Sequence, residues 1–204
     1  MADQAEKMKV LNVGGNNKNI QLPPYYKGFE HLLLDIDPRG KPDIVADARE
    51  LDQLDADQFD AIYCSHNLEH YYRHDVAKVL KGFLHVLKPK GFAEIRVPDL
   101  PAVMKAMIDD EMDIDDELYK SPAGPIMISD VIYGYSVEIE QSGQDFFAHK
   151  TGFSEKSLKK AVLDAGFPYA VKIPSHQWEL LIYGFKDYNT HFLHELMRLK
   201  LQNE

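Results

Sequence analysis

Apolar positions along the chain follow two rhythms. Short continuous runs rich in Val, Ile and Leu occupy residues 10–14 (VLNVG), 31–37 (HLLLDID), 43–47 (DIVAD), 59–65 (FDAIYCS) and 92–98 (FAEIRVP). Runs of this length bounded by turn residues read as strands buried on both faces, the habit of a parallel sheet. Between them lie helical stripes. Over 75–87, Val76, Val79, Leu80, Phe83, Leu84 and Leu87 share one side, with Asp75 placed to cap the start and Lys88-Pro89-Lys90-Gly91 to stop the end. Over 154–165, Leu158, Ala161, Val162 and Ala165 form the stripe between a capping Ser154 and a terminating Gly166. Two further strands are predicted at 170–173 and 178–185, then an amphipathic helix over 190–201 carrying Phe192, Leu193, Leu196 and Leu199. Pro23 and Pro24 leave room for only a short helix after the first strand. The alternation predicts a doubly wound α/β fold in a single domain over 1–204, with ligands bound beyond the carboxyl ends of the strands.

The long connection at 99–150 stands out. Excursions of this length commonly form lids or binding loops, and it is expected to cover a substrate. Its DDEMDIDDE run reads as a solvated acidic face, SPAGP as a turn, IMISDVIYGY as a short helix and EIEQSGQD as loop. Phe146, Phe147 and His149 either border the substrate or pack the excursion onto the body.

Chemistry-bearing residues gather at the predicted strand ends. Gly14 and Gly15 allow a sharp turn and a close backbone approach to a ligand, and Asn16 tolerates left-handed backbone. The second strand closes on Asp35-Ile36-Asp37, where a carboxylate can accept the hydroxyls of a ribose. Asp47-Ala48 closes the third, where Asp47 can receive an adenine amino group. Taken singly, a glycine turn is just a turn and each acid a solvated strand end. Their joint spacing is the stronger signal.

Composition narrows the partners. A formal charge of -10 repels phosphate backbones, so nucleic acid is not expected. No apolar run reaches the roughly 20 residues of a membrane span, and the polar start MADQAEKMK has no signal core. A cytoplasmic protein, monomer or homodimer, is expected. The one cysteine, Cys64, ends a predicted strand and reads as a small buried hydrophobe.

On these residues the chain resembles the class I S-adenosylmethionine-dependent methyltransferases. VLNVGGNN is similar to the family's first motif, LLLDID to the second, and VADARELD to the adenine-contacting turn. FDAIYCSHNLEH followed by VLKGFLHVLKPKGFAEIRVPD resembles the fourth strand, its H-x-L-E-H connection, the next helix and the fifth strand. HKTGFSEKSLKKAVLDAGF resembles the late helix. The resemblance implies a Rossmann-like, mostly parallel seven-stranded sheet with helices on both faces, and methyl transfer from S-adenosylmethionine to a small-molecule acceptor. It implies cofactor contacts at Gly14, Gly15, Asn16, Asp35, Ile36, Asp47, Ala48 and His66. Asn12, Asn16 and Lys18 depart from the first motif, in which an acid and further glycines are usual.

The stretch SHNLEHYYRH also satisfies H-x-x-E-H, the pattern in which two histidines bind zinc beside a glutamate base. That use needs His66 and His70 on one long helix, whereas the clear helix begins near Asp75. The reading adopted is therefore without metal. His70 and His149 are the candidate bases, because imidazole titrates near neutral pH. Tyr71 and Tyr133 are candidates to line the acceptor site. Two rivals stay open: a catalytically silent binding protein, suggested by the altered first motif, and a metal-dependent hydrolase using His66, Glu69 and His70.

Overall fold

A computed structural model describes residues 7–121 and 124–187. In chain order its main strands are β1 (Lys9–Val13), β2 (Glu30–Asp35), β3 (Ile44–Val45), β4 (Phe59–Ser65) and β5 (Leu87–Pro98). A hairpin of β6 (Glu117–Ser121) and β7 (Gly124–Met127) stands apart, and β8 (Tyr169–Ile173) and β9 (Glu179–Phe185) complete the sheet. The seven-stranded order is β3-β2-β1-β4-β5-β9-β8. β1 to β5 pair in parallel, while β9 runs antiparallel to both β5 and β8. The chain leaves β1 toward β2 on one side and later returns to its other side as β4. That reversal opens a crevice beyond the ends of β1 and β4.

Side-chain alternation sorts the sheet into two faces. Leu11, Val13, Ile62, Cys64, Ala93, Ile95, Val97, Leu180 and Ile182 point to the first. Helix α1 (Arg73–Val86) lays Val76, Val79, Leu80, Phe83 and Val86 on it, and α5 (Glu155–Asp164) adds Leu158 and Val162. Burial drives the Cys64 thiol pKa up, as its reading as a small hydrophobe requires.

The second face is built differently. The two prolines confine the predicted short helix to a 3-10 turn, Pro24–Tyr26. Its Tyr25 and Tyr26 hydroxyls donate to Glu94 at 2.6 and 2.9 Å. Glu94 is fully buried and also accepts from Arg96 Nε at 2.7 Å; Arg96 reaches on to Glu179 at 2.9 Å. A buried carboxylate is tolerable only when its lone pairs are occupied, and these are. Burial, reinforced by the Glu94 charge, raises the Tyr25 and Tyr26 phenols so that they remain donors.

Several local expectations change. α1 begins at Arg73, with Tyr72 in the cap position and no side-chain cap. Asp75 lies inside the first turn and pairs with Arg49 at 3.3 Å instead. The third strand shrinks to Ile44–Val45, because Asp43 turns its carboxylate onto Leu33 N–H and Lys18 while Asp47 caps the following 3-10 helix. α1 does end ahead of Lys88, at Val86, and the chain passes directly into β5, whose Leu87 pairs with Phe59. EIEQSGQD is not loop, since α4 (Ser136–Ser142) forms there and ends at Gly143 in left-handed backbone. Ser154 does cap α5, accepting from Ser157 N–H. The helix expected at 190–201 falls outside the described residues.

Within the excursion, α2 (Leu100–Asp109), the β6–β7 hairpin and α3 (Ile128–Tyr133) enclose their own small cluster around Val103, Ile128 and Val131. The acidic run is exposed, apart from half-buried Met112 and Ile114 that join this cluster.

Candidate functional site

The crevice assembles from strand ends. Gly14 has φ 71 and donates its N–H to Leu34 carbonyl at 2.8 Å. A Cβ there would sit 2.0 Å from Asn67, and one at Gly15 would sit 2.1 Å from Asn12. Both glycines are therefore required by close packing as well as by the turn. Asn12 is itself buried and directs its amide to His31 at 3.3 Å, so the residue replacing the usual acid supports the turn from below. Asn16, at φ 62, donates its N–H to Asp35 Oδ2 at 2.9 Å. Asp35 Oδ1 accepts Asp37 N–H at 2.9 Å. The glycine turn and the acid of β2 are thus one hydrogen-bonded unit.

Asp47 Oδ1 accepts Arg49 N–H, and its Oδ2 takes the Arg49 side chain at 2.6 and 2.9 Å. Burial would raise the Asp47 pKa, but the guanidinium outweighs it and holds the carboxyl below its usual value. Arg49 also reaches Asp75, so the adenine-side acid of the sequence reading is tied to a cation and to α1.

His66 closes the far side. It follows β4 with φ 50, in the left-handed region that histidine enters more readily than most side chains. Its N–H donates to Arg96 carbonyl, and its Nε2 lies 3.0 Å from Glu179. Burial would lower this imidazole, but Glu179 and Glu69 dominate and raise it. Charged at neutral pH, His66 is a donor and not a base. A short 3-10 turn, Leu68–His70, follows it. The two histidines of H-x-x-E-H therefore do not share a helix, and His66 turns toward Glu179 instead of joining His70.

His70 and His149 meet edge to face, with ring centroids 4.8 Å apart. His70 Nδ1–H donates to Ala148 carbonyl at 3.2 Å and His149 Nδ1–H to Val131 carbonyl at 2.9 Å. A carbonyl can only accept, so the neutral tautomer compatible with each bond is the one with its lone pair on Nε2. His149 is lowered, chiefly by burial, and is neutral at pH 7.

Two adjoining cavities result. The first is lined by Gly14, Asn16, Asp35, Ile36, Asp47, His66, His70 and Tyr71, together with Asp37, Arg49, Asn67, Tyr72, Asp75, Phe146, Phe147 and Lys150. The second holds His149, Tyr119, Ile126, Tyr135 and Trp178, and shares His66 with the first. Gly15 and Ala48 stand behind the first wall, Ala48 fully packed. Tyr133 is 61% exposed and lies outside the lining of both cavities; its carbonyl accepts His149 N–H. Tyr71 joins the carboxylate end of the first cavity, apart from the second.

Residues 1–170 match a family model described as a methyltransferase domain. The chain belongs to that methyltransferase family. No curated protein matches it. Among solved structures, an S-adenosylmethionine-dependent methyltransferase from Archaeoglobus fulgidus aligns with a TM-score of 0.53 at 17% identity, over 88% of this chain and 86% of the other. The PH0226 protein of Pyrococcus horikoshii aligns with a TM-score of 0.57 at 14% identity, over 89% and 83%. A complex containing the Trm112 methyltransferase activator of Haloferax volcanii aligns with a TM-score of 0.52 at 16% identity, over 90% and 84%. At these identities the shared property is the fold.

Of this methyltransferase's lining residues, Arg49, Asn67, Tyr72 and Lys150 in the first cavity and Tyr119, Ile126, Tyr135 and Trp178 in the second escaped the sequence reading. Asn67 sits inside the H-x-L-E-H connection and could have been found from it. Lys150 enters only through the fold, where its N–H donates to Glu69 carbonyl. Among the described residues no helix is long and apolar enough to cross a membrane.

Proposed function

We propose that the chain transfers a methyl group from S-adenosylmethionine to a small-molecule acceptor. The observation that carries this is the convergence of the Gly14–Asn16 turn with Asp35 and Asp47 on one cleft at the sheet's reversal point, in a methyltransferase-family domain. When bound, S-adenosylmethionine supplies an electrophilic methyl on a sulfonium that is already a good leaving group.

The chain's own residues fit that cofactor. Each Asp35 oxygen accepts one backbone N–H, leaving a further lone pair for a ribose hydroxyl. The lining carboxylates Asp35, Asp37, Asp47 and Asp75 outnumber the lining cations Arg49 and Lys150, which favours a cationic ligand over an anionic one. Ile36 and Tyr71 offer apolar surface for a base. His66 lines both cavities, and beyond it the aromatic walls of Tyr119, Tyr135 and Trp178 suit an apolar or aromatic acceptor.

Holding the acceptor in line supplies much of the rate. An acceptor that must lose a proton has the neutral His149 Nε2 beside it, with its other nitrogen fixed by Val131. His66, being charged, instead positions Glu179 and the strand ends. The excursion over 99–150 serves as the cover of this second cavity.

Calorimetric titration with S-adenosylmethionine tests the reading. We expect 1:1 binding, weakened at least tenfold in Asp35→Ala. Absence of binding to wild-type protein would overturn it.

A further inference from the structure

Glu69 is buried to 1%, yet neither carboxylate oxygen has a hydrogen-bond partner. The charged His66 ring compensates part of this burial through its ion pair with Oε1, but the hydrogen-bonding capacity of the carboxylate stays unmet. Its nearest polar neighbours are His66 Nδ1 at 3.5 Å and His149 Nε2 at 3.9 Å from Oε1. His70 completes the group: one ligand atom each from Glu69, His70 and His149 lies within 4.8 Å of the others. The histidine tautomers matter here. Both Nδ1–H groups are committed to backbone carbonyls, the support that metal-binding imidazoles characteristically have, and both Nε2 lone pairs are left available.

We propose that Glu69, His70 and His149 form a binding site for a divalent first-row transition metal, placed between the two cavities. Two imidazoles and one carboxylate suit manganese, iron, cobalt, nickel or zinc better than magnesium or calcium. Metal–ligand lengths of about 2.0–2.2 Å put ligand atoms roughly 3.0–4.2 Å apart, so the cluster closes by about half an ångström or more on binding. His70 lines the first cavity and His149 the second, so coordination positions remain open toward both. The site differs from the H-x-x-E-H pair, because His66 is turned to Glu179.

For the chemistry, the site deepens the methyl-transfer reading and rests on it. A bound cation occupies the lone pair that His149 would otherwise use as a base. It favours an oxygen acceptor, whose hydroxyl coordinates and releases its proton to solvent at a lowered pKa; the resulting oxygen lone pair forms the new bond to the methyl carbon while the carbon–sulfur pair returns to sulfur.

The test is titration of metal-stripped full-length protein with Co2+, followed by visible absorption and calorimetry, in wild type and in Glu69→Gln, His149→Ala and His66→Ala. Circular dichroism confirms that each variant is folded. The expected result is one Co2+ per chain with nitrogen-ligand visible bands, weakened at least tenfold by Glu69→Gln and by His149→Ala and retained in His66→Ala. No Co2+ binding in wild type overturns the proposal. So does binding indifferent to Glu69→Gln, or binding lost in His66→Ala and kept in His149→Ala. His149→Ala, being near the cavity wall, keeps the test decisive if Glu69→Gln does not fold. S-adenosylmethionine titration of the same metal-stripped samples separates the two ideas. Cofactor binding without Co2+ binding removes the metal site alone, and Co2+ binding without cofactor binding removes the methyl-transfer reading alone.

Discussion

The two faces of the sheet solve the same burial problem by opposite means. Against the first, α1 and α5 press aliphatic side chains onto Leu11, Ile62, Ile95 and Ile182, and the contact is apolar throughout its centre. On the second, Tyr25, Tyr26, Arg96 and Tyr183 converge on the buried Glu94. Non-directional packing tolerates small changes of shape. A hydrogen-bonded network around a buried charge does not, because removing one member leaves the rest unpaired. The difference teaches where specificity resides. The apolar face supplies bulk stability, while the polar face fixes Arg96, and through it Glu179 and His66 at the mouth of the site.

Substitutions can break or sharpen this contrast. The largest effect is expected for Glu94→Ala, which strands Arg96 and two phenols; chemical denaturation should show a loss of about 3–5 kcal/mol. Next is Tyr26→Phe, removing one buried hydrogen bond to a charged acceptor, at about 1.5–3 kcal/mol. On the apolar face, Ile62→Val removes one methylene and should cost only about 0.5–1.5 kcal/mol. If Ile62→Val proved as damaging as Tyr26→Phe, the contrast between the faces would collapse.

The smallest effect concerns pH. His66 is raised to about 10 from an unfolded value of about 6.5. Its contribution to stability is therefore complete below about pH 6.5 and disappears as pH rises through 10. Its ring is 47% exposed, which leaves water to screen the pairing and keeps the effect modest. Melting temperatures measured from pH 7 to 10 should fall less steeply in Glu179→Gln than in wild type. Parallel slopes would show that this ion pair is not what lifts His66.

How much of this was legible beforehand follows the same division. Residues 59–65 read as a strand and are one, because a continuous apolar run between turns has few other uses. The α1 stripe was equally plain. By contrast, ELYKS and GPIM carry no strong apolar alternation, so the turn read at SPAGP does not by itself reveal their hairpin. Nor is α4 revealed, since it has no buried residue and hence no stripe. In the site, the glycine turn, Asp35 and Asp47 could be read because strand ends carry them in fixed order. The commitment of Asp47 to Arg49, and the meeting of His70 with a segment 78 residues away, exist only once the chain has folded. Glu69 shows the same limit: in sequence it is one of many acids, and only its burial without a hydrogen bond distinguishes it.

The excursion has its two ends side by side. Asp99 bridges to Phe153, Asp99 N–H donates to Trp178 carbonyl, and Lys150 and Thr151 N–H both donate to Glu69 carbonyl. A segment whose two ends meet at the sheet behaves as an exchangeable cassette. Its length and lining can be rewritten while the seven strands beneath keep their register. For protein engineering this makes residues between Leu100 and His149 the natural place to redirect the enzyme to a new acceptor, provided that the histidine at the far boundary is kept.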